Sequence, residues 1–565
     1  MHDRQGPADP GADDVVDAVV VGAGFSGLYL SHRLTESGFS VQAFEAGGDV
    51  GGTWYWNRYP GARCDIESVQ YSYQFSDELQ QEWTWSERYA SQPELLAYAR
   101  HVAERFDLRR HIAFNTRIER AAFDDADHLW TVETSSGGDH SSIRARFLLL
   151  GVGVLSTTVT PPFPHLDRFE GRTFHTGRWP HEPVDFAGRR VGVIGTGSSG
   201  IQSIPLLAQE AEHLHVFQRT ANYVVPARNR PLEPDEVAAI KAGYAELRAQ
   251  ARQRPTGFLF PFNPGSIHDV TPAERFEQLE RHWEIGGLPF LGAFGDILFD
   301  EEANRLVAEY WAGKVRAIVD DPAVAELLIP NGDIFGGKRL CAGTDYLETF
   351  NRPDVTLVDV SSTGIDGFTA TGLVAGGVDY ELDDVVFATG FDALTGSVVA
   401  IDIAGPDGTT MAEAWSGPPG SYLGLAVAGF PNLFNLQGPG SPGVFVTMVT
   451  GIEHQTDWIV DCLAWMRRHG ITRCEATDEA QQQWGDVVDA AAEVSLRSKC
   501  DSWYTGANVP GKHRKFMPYI GGFPAYRQAC AEVAENDYRG FVFDGPPGSG
   551  SSGASVASGR TGRTS

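Results

Sequence analysis

The chain has 565 residues, of which 42% are apolar and 21% are charged, so it is neither disordered nor fibrous, and three or four structural units are expected. Its 45 basic and 74 acidic side chains give a net charge of −29, which disfavours binding to nucleic acid or to an anionic membrane surface. The six cysteines form no CxxC pair, which argues against a zinc ribbon, a disulfide scaffold and a dithiol redox centre.

Both ends of the chain have the composition of disordered tails. Residues 1–14 are acidic and aperiodic, and residues 545–565 are nearly all Gly, Ser, Ala, Thr and Pro. The first residues lack the basic and apolar regions of a signal peptide, and no apolar run approaches the ~18 residues of a membrane span. We therefore expect a cytoplasmic protein without a membrane segment.

The first element predicted after the N-terminal tail is a strand, which leads through a glycine-rich turn into a helix. In a GxGxxG turn the first glycine permits the tight bend, the second admits a pyrophosphate, and the third lets the helix pack on the strand. The pyrophosphate then lies at the positive end of the helix dipole. An acid at the end of the next strand is placed to hold an adenosine ribose. The dinucleotide site predicted here comprises Gly22, Gly24, Phe25, Ser26, Gly27 and Glu45.

The same pattern recurs after a second apolar strand, which predicts a second dinucleotide-binding domain. The strand that follows this second loop ends in Arg219 and Thr220, where a NAD site would carry an acid. Arg219 therefore favours a 2′-phosphate and NADPH, unless it is an ordinary surface arginine. The second loop consists of Gly195, Thr196, Gly197, Ser198, Ser199 and Gly200.

Helices are predicted from residue 233 to about residue 320. Pro234 opens one helix, and Thr271 with Glu274 forms the capping box of another. We interpret this region as a helical insertion in the second dinucleotide domain, after which DDVVFATGF returns the chain to a sheet. A third helix places Ala303, Leu306, Val307, Tyr310 and Trp311 on one apolar stripe.

Two dinucleotide sites predict an enzyme with a bound flavin and a diffusible nicotinamide. Disulfide reductases and flavin monooxygenases are the two obvious classes. A disulfide reductase needs a redox cysteine pair beside the flavin, which this chain lacks, so oxygen chemistry remains.

Four further segments carry longer motifs. Residues 169–180 match FxGxxxHxxxW(P/D), residues 52–65 match GxWxxxxYPGxxxD, residues 387–396 contain ATG, and residues 500–512 read CDSWYTGANVPGK. Together they resemble the type I Baeyer–Villiger monooxygenases, class B flavoproteins that turn ketones into esters or lactones. The resemblance is closest to the phenylacetone and steroid monooxygenase branch. Its fingerprint residues here are Phe169, Gly171, His175, Trp179 and Pro180.

The resemblance implies an α/β fold with two Rossmann-like domains, which bind FAD tightly and NADPH. The implied substrates are a small-molecule ketone and O₂, and the expected assembly is a monomer or a small homo-oligomer. The implied FAD domain comprises residues 15–150 and 388–544, the NADP domain residues 151–222 and 333–387, and the helical insertion residues 223–332.

The implied reaction inserts one oxygen atom beside the ketone carbonyl, through a C4a-peroxyflavin and a Criegee intermediate. The resemblance makes Arg339 the catalytic arginine and Asp65 the carboxylate that orients it, with an ordinary salt bridge as the alternative. His175 would act indirectly, through the position of the cofactor and the domains, and the alternative is a satisfied structural histidine. Further implied cofactor contacts are Gly52, Thr53, Trp54, Asp65, Tyr71, Arg219, Thr220, Lys338, Arg339 and Trp503.

The segment GPGSPGVFVTMV aligns with a loop that lines the ketone pocket in relatives. A hydrophobic cyclic or aryl ketone fits this composition, although core packing explains Phe445 and Met448 equally well. Two other functions stay open: a related flavin monooxygenase that performs sulfoxidation or N-hydroxylation, and a non-catalytic or oxidase-only flavoprotein. No metal site is predicted. The predicted pocket residues are Gly443, Val444, Phe445 and Met448.

Overall fold

A computed structural model describes residues 15–546 of the chain. The tail predicted for residues 1–14 lies outside this range, as do residues 547–565 of the other predicted tail. None of the helices within the described range is both long enough and apolar enough to cross a membrane. All six cysteines are buried and free.

The first glycine-rich loop belongs to an eight-stranded sheet. The elements from the start of the described chain are β1 (Val15–Val21), α1 (Phe25–Glu36), β2 (Val41–Phe44), α2 (Thr53–Trp56), α3 (Asp77–Glu82), α4 (Gln92–Arg105), β3 (Ile112–Ala113), β4 (Arg117–Asp124), β5 (Leu129–Ser136) and β6 (Asp139–Leu150). Strand β1 runs parallel to both of its neighbours, β2 and β6. Residues 18–21 of β1 are all buried, on both faces of the sheet, which explains the continuous hydrophobic run in the sequence.

The second loop belongs to a five-stranded parallel sheet, whose strands lie side by side in the order 355–359, 213–218, 190–194, 384–387 and 172–175. The elements of this part of the chain are β7 (Arg172–His175), β8 (Arg190–Ile194), α5 (Ser198–Glu210), β9 (His213–Gln218), β10 (Val224–Pro226), α6 (Pro234–Ala251), α7 (Pro272–Ile285), α8 (Glu301–Ile318), α9 (Pro322–Leu328), β11 (Cys341–Gly343), α10 (Tyr346–Thr349), β12 (Val355–Asp359), β13 (Gly367–Thr369), β14 (Gly372–Ala375), β15 (Val378–Glu381) and β16 (Asp384–Phe387).

The helices predicted between the two halves of this sheet are confirmed. Helix α6 begins at Pro234, and α7 carries the complete capping box between Thr271 and Glu274. The indole N–H of Trp311 donates to the carbonyl oxygen of Val224 at 2.6 Å, which fastens α8 to β10. Along the predicted stripe of α8, Ala303, Val307 and Trp311 are buried, and Leu306 and Tyr310 are half-buried.

The last part of the chain returns to the first sheet. Its elements are α11 (Gly396–Val399), β17 (Asp402–Ala404), α12 (Met411–Ala414), β18 (Leu433–Asn435), α13 (Met448–Arg468), β19 (Arg473–Ala476), α14 (Asp478–Glu493), α15 (Phe523–Glu535) and β20 (Phe541–Asp544). Strand β17 pairs with β4 and β18 pairs with β6, while α13 packs against α1. The predicted α/β class with two dinucleotide-type sheets is confirmed, and the exact domain limits stay a prediction.

Candidate functional site

The first glycine-rich loop needs glycine for steric reasons that the structure makes explicit. Gly22 has φ +96°, and a Cβ there would lie 2.8 Å from the carbonyl oxygen of Gly151. A Cβ on Gly27 would lie 1.8 Å from the oxygen of Gly22, so α1 can pack on the turn only without a side chain. No side chain of the described residues caps α1 at Gly24, which leaves its first-turn N–H groups for an anion.

The first glycine-rich loop and the GxWxxxxYPGxxxD segment meet at Gly24 and Gly52. A Cβ on Gly52, which has φ +53°, would lie 2.7 Å from the Cα of Gly24. Trp54 is buried two residues further on, and its ring lies 6.0 Å from the ring of Tyr71, centroid to centroid. The ring of Phe25 lies 5.7 Å from that of Tyr71. The structure thus brings the residues predicted around the flavin together, with Thr53 exposed and Ser26 buried.

Glu45 follows β2 directly and is buried. Its Oε2 accepts the N–H of Ala23 and its Oε1 accepts the N–H of Gly47, both at 2.7 Å. Burial raises the pKa of Glu45, and the two backbone donors oppose that shift. The carboxylate therefore holds the loop in shape, and its contact with a ribose stays a prediction.

The first two of the three glycines in the second loop differ in what surrounds them. Gly195 has φ +110°, and a Cβ there would lie 2.5 Å from the oxygen of Ala388. Gly197 has φ −82°, and a Cβ there would meet no described atom within 4 Å. Among the described residues no side chain caps α5, and Thr196 Oγ1 donates to the oxygen of Thr220 at 2.9 Å. The space before α5 therefore fits a pyrophosphate, beside Ser198, Ser199 and Gly200.

The resemblance implies that Arg219 and Lys338 hold the 2′-phosphate, and the two cations differ in the partners that they already have. Arg219 follows β9, is exposed, and forms no ion pair with any residue between 15 and 546. Lys338 donates to Asp333 Oδ2 at 2.7 Å. Arg219 is therefore uncommitted, whereas Lys338 would have to share or exchange Asp333 to contact a phosphate.

His175 ends β7 and joins that strand to the ATG segment. Its Nδ1 accepts the N–H of Gly177 at 3.0 Å, and its Nε2 lies 3.3 Å from the oxygen of Val159 and 3.3 Å from Thr389 Oγ1. Burial lowers the pKa of His175. His175 is thus the last residue of an edge strand of the second sheet, held against Val159 and Thr389, and its influence on catalysis stays a prediction.

The other fingerprint residues pack near this turn. A Cβ on Gly171 would lie 2.3 Å from the ring of Phe169 and 2.4 Å from the oxygen of Asp383, so only glycine fits. Trp179 is buried against Phe174, and Pro180 is half-buried. These contacts are packing contacts that stabilise the fold.

Arg339 and Asp65, 274 residues apart, form a bidentate ion pair. Nε donates to Oδ2 and Nη2 donates to Oδ1, both at 2.8 Å. Nη1 donates to the oxygen of Val444 at 3.0 Å, which joins the pair to the predicted ketone loop. Burial lowers the pKa of Arg339, but Asp65 outweighs it and the pKa is raised, so the guanidinium remains charged.

The predicted ketone loop forms a single 3₁₀ turn, Gly443–Phe445, before α13. The ring of Phe445 stacks on that of Phe516 at 6.0 Å and lies 4.8 Å from that of Tyr504. Val444, Met448 and Trp503 pack around one small apolar cluster. The structure therefore packs Val444, Phe445, Met448 and Trp503 close together, and Val444 joins them to Arg339.

The structure also contains contacts around Gln202 of α5 that the sequence did not predict. The hydroxyl of Tyr59 donates to Gln202 Oε1 at 2.7 Å, and Gln202 Nε2 donates to the oxygen of Arg63 at 3.1 Å. A Cβ on Gly61 would lie 2.3 Å from the oxygen of Gln202. The YPG run therefore marks the place where α5 meets the first unit, by which we mean the part of the chain that forms the eight-stranded sheet. The glycine in that run is the signal that could have located this interface.

Comparisons with known proteins agree with this geometry. The family model "Flavin-binding monooxygenase-like" matches residues 16–235. The Baeyer–Villiger monooxygenase of Pseudooceanicola batsensis is 42% identical over 538 residues, which cover 94% of this chain and 97% of that protein. Phenazine N-monooxygenase PhzNO1 of Lysobacter antibioticus is 41% identical over 537 residues, covering 94% and 98%. A solved structure, an oxidized steroid monooxygenase bound to NADP, is 51% identical with a TM-score of 0.89, covering 94% and 99%. By its sequence and its fold, the chain belongs to the Baeyer–Villiger monooxygenase family.

Proposed function

We propose that the protein uses FAD, NADPH and O₂ to insert one oxygen atom beside the carbonyl of a hydrophobic ketone, giving an ester or lactone. The observation that carries this proposal is the Asp65–Arg339 pair and its hydrogen bond to Val444 in the predicted ketone loop. The relatives support it, because this chain matches a Baeyer–Villiger monooxygenase over nearly its whole length.

Two sites fit the two cofactors. The loop that contains Gly22, Gly24 and Gly27, closed by Gly52, would hold the FAD pyrophosphate at α1. The open space at Gly197 would hold that of NADPH, with Arg219 on its 2′-phosphate. When bound, FAD that NADPH has reduced supplies the activated oxygen.

Arg339 is the residue that we propose to act on the reacting atoms. Its guanidinium keeps its charge at any working pH and offers planar N–H donors to the negative charge that develops on oxygen during the reaction. Asp65 is a positioning residue, because it holds two of the three guanidinium nitrogens. The apolar cluster formed with Val444, Met448 and Trp503 would exclude water from the reaction.

The domain division follows from the same reasoning. We infer that residues 15–150 and 388–544 hold FAD and that residues 151–222 and 333–387 hold NADPH, with residues 223–332 inserted. The pairing of β17 and β18 with the first sheet, and of β16 with the second, supports this division. A cytoplasmic location and a monomer or small homo-oligomer stay predictions.

N-oxidation is the second candidate function, because the phenazine N-monooxygenase is as similar to this chain as the Baeyer–Villiger relative. It would use the same cofactor sites and differ in the atom that receives oxygen. The products formed therefore distinguish the two functions.

The test is NADPH consumption by the FAD-loaded protein, with and without phenylacetone, cyclohexanone, a macrocyclic ketone, progesterone or phenazine. Mass spectrometry of the products should find esters or lactones heavier by one oxygen atom, formed in proportion to NADPH consumed. An N-oxide of phenazine without any ester would replace the proposal by the second candidate. Hydrogen peroxide as the sole product with every substrate would contradict both.

A further inference from the structure

Arg497 lies in the short turn Leu496–Lys499, between α14 and Trp503. It is half-buried, and its Nε donates to the oxygen of Gly336 at 3.0 Å. The central carbon of its guanidinium lies 4.8 Å from the centroid of the Phe445 ring. Arg497 thus connects the segment that leads to Arg339 with the predicted ketone loop.

Arg497 lacks an acidic partner, whereas the four other lysine and arginine side chains of residues 497–515 each form an ion pair. No carboxylate of residues 15–546 forms an ion pair with it, and its Nη atoms donate no hydrogen bond to any of these residues. The chain carries 29 more acidic than basic side chains, so an unpaired guanidinium here is not explained by a shortage of acids. The paired cations nearby are Lys499 with Glu301, Lys512 with Asp392, Arg514 with Asp501, and Lys515 with Asp489.

The charge around Arg497 is unbalanced. Burial lowers its pKa, the nearby Tyr504 opposes that shift, and the charge of Arg339 lowers the pKa further. Arg339 already has Asp65 as its partner, and all three of its nitrogens donate hydrogen bonds. A second guanidinium near it leaves one positive charge that no carboxylate of residues 15–546 balances, and an anionic ligand would balance it.

The surroundings restrict the chemistry of that ligand. A guanidinium offers a planar pair of donors that matches a carboxylate. The rings of Phe445, Phe516 and Tyr504 lie beside it and suit an apolar chain. A dianionic phosphate would call for several cations, whereas a single monoanionic carboxylate at the end of a hydrophobic substrate balances the one free charge.

We propose that Arg497 binds a carboxylate of the substrate, so that the preferred substrates are hydrophobic keto acids. The carboxylate end lies on Arg497 beside Phe445, and the ketone carbonyl reaches Arg339. This inference rests on the proposed ketone oxygenation and adds to it the class of ketone.

The experiment compares methyl-ketone carboxylic acids of increasing chain length with their methyl esters, using the FAD-loaded enzyme and NADPH. At the matching length we expect kcat/KM for the acid to exceed that for its ester by about tenfold to a hundredfold, the range of a charge-assisted hydrogen bond. Arg497→Met should abolish this preference, so that the ratio of kcat/KM for the acid to kcat/KM for the ester falls to about one, and an unchanged melting temperature of the FAD-loaded variant reports an intact fold. Arg497→Lys should restore part of the preference.

Arg514→Met is the matched control, because Arg514 lies on the same segment but is exposed and paired with Asp501. It should keep the preference for the acid. Calorimetry of the keto acid with the oxidised holoenzyme and NADP⁺ gives a binding constant without turnover, and Arg497→Met should weaken it by the same factor.

Three results would overturn the inference. Oxidation of the esters without a preference for the acid at any length would refute it and leave the proposed function standing. A higher KM for NADPH in Arg497→Met, equal with acid and ester, would assign the anion to the cofactor. Oxidation of no ketone, acid or ester would refute the proposed function itself, and the inference with it.

Discussion

For single residues, what each cation of the site can do depends on the partner that it already has. Arg339 has committed its guanidinium to Asp65 and Val444, so its position is set before any substrate arrives. Arg219 has no ion-pair partner among residues 15–546 and is exposed. The first arrangement suits a group that must be pre-oriented for catalysis, and the second suits one that meets a diffusing anion.

Arg339→Ala should separate NADPH oxidation from oxygen insertion. The variant keeps both glycine-rich loops, so NADPH oxidation continues and releases hydrogen peroxide, while ester formation falls at least about a hundredfold because the fixed donors are lost. Parallel measurement of NADPH, peroxide and ester checks this. Arg339→Lys is the companion variant, since a lysine keeps the charge but cannot bridge Asp65 and Val444. Full ester formation by the alanine variant would remove Arg339 from the mechanism.

Arg219→Ala should narrow the preference for NADPH over NADH. A charge-assisted contact to the 2′-phosphate corresponds to about tenfold to a hundredfold in KM for NADPH, and NADH lacks that phosphate. Steady-state KM values for both nucleotides test this, with Arg281→Ala, at an exposed arginine on α7, as the control. If Arg219→Ala leaves the ratio of the two KM values unchanged, the phosphate is held elsewhere.

At the scale of elements, two glycines of the second strand–loop–helix element serve different purposes. Gly195 has a positive φ and no room for a Cβ, because the oxygen of Ala388 lies 2.5 Å away. Gly197 has a negative φ, and a Cβ on it would meet no described atom within 4 Å. The first glycine is therefore required by the fold, and the second by the ligand.

Gly195→Ala and Gly197→Ala should therefore fail in different ways. Gly195→Ala should destabilise the protein by about 1–3 kcal/mol, through backbone strain and the clash with Ala388. Gly197→Ala should leave the free energy of unfolding within about 0.5 kcal/mol and weaken NADPH binding about tenfold or more, because its methyl group occupies the pyrophosphate space. Thermal unfolding and NADPH titration distinguish the two, and equal losses of stability would contradict the assignment.

Across the whole molecule, a buried polar network joins the helical insertion to the first unit. Glu453 on α13 accepts the N–H groups of Gln74 and Phe75 at 2.6 and 3.0 Å. Arg248 on α6 donates to Ser72 Oγ at 2.8 Å and interacts with Glu453 through its charge. Burial raises the pKa of Glu453 to about 8, although the backbone donors and Arg248 oppose the shift.

This network predicts a pH dependence of stability. Because the pKa of Glu453 is higher in the folded protein than in the unfolded chain, folding takes up a proton between the two pKa values. Stability therefore falls as the pH rises from about 4.5 towards about 8, by at most about 1.4 kcal/mol per pH unit from this residue. Glu453→Gln keeps an accepting oxygen and should remove this slope.

Thermal unfolding of the FAD-loaded protein between pH 6 and pH 8 measures the slope. Glu309→Gln, at an exposed glutamate on α8, is the matched control and should behave as the wild type. An identical slope in Glu453→Gln would mean that Glu453 is ionised in the folded protein throughout this range.

The sequence by itself determined the features that depend on neighbouring residues. A GxGxxG turn, a capping box such as Thr271 with Glu274, and the apolar stripe of α8 each involve residues a few positions apart, so their geometry follows from local backbone rules. The order of two such loops along the chain then predicted the two dinucleotide-type sheets. The Asp65–Arg339 pair was reachable only through resemblance to a family, because nothing local connects residues 274 positions apart.

Only the tertiary structure decided which groups meet and which remain without a partner. The carbonyl oxygen of Val444 on Arg339 has no sequence signature, because every residue carries the same carbonyl group. The contact between Tyr59 and Gln202 depends on how α5 approaches the first unit. Arg497 differs from the paired Arg514 only by where the chain places it, since a missing carboxylate is a property of the surrounding space and not of the residue itself.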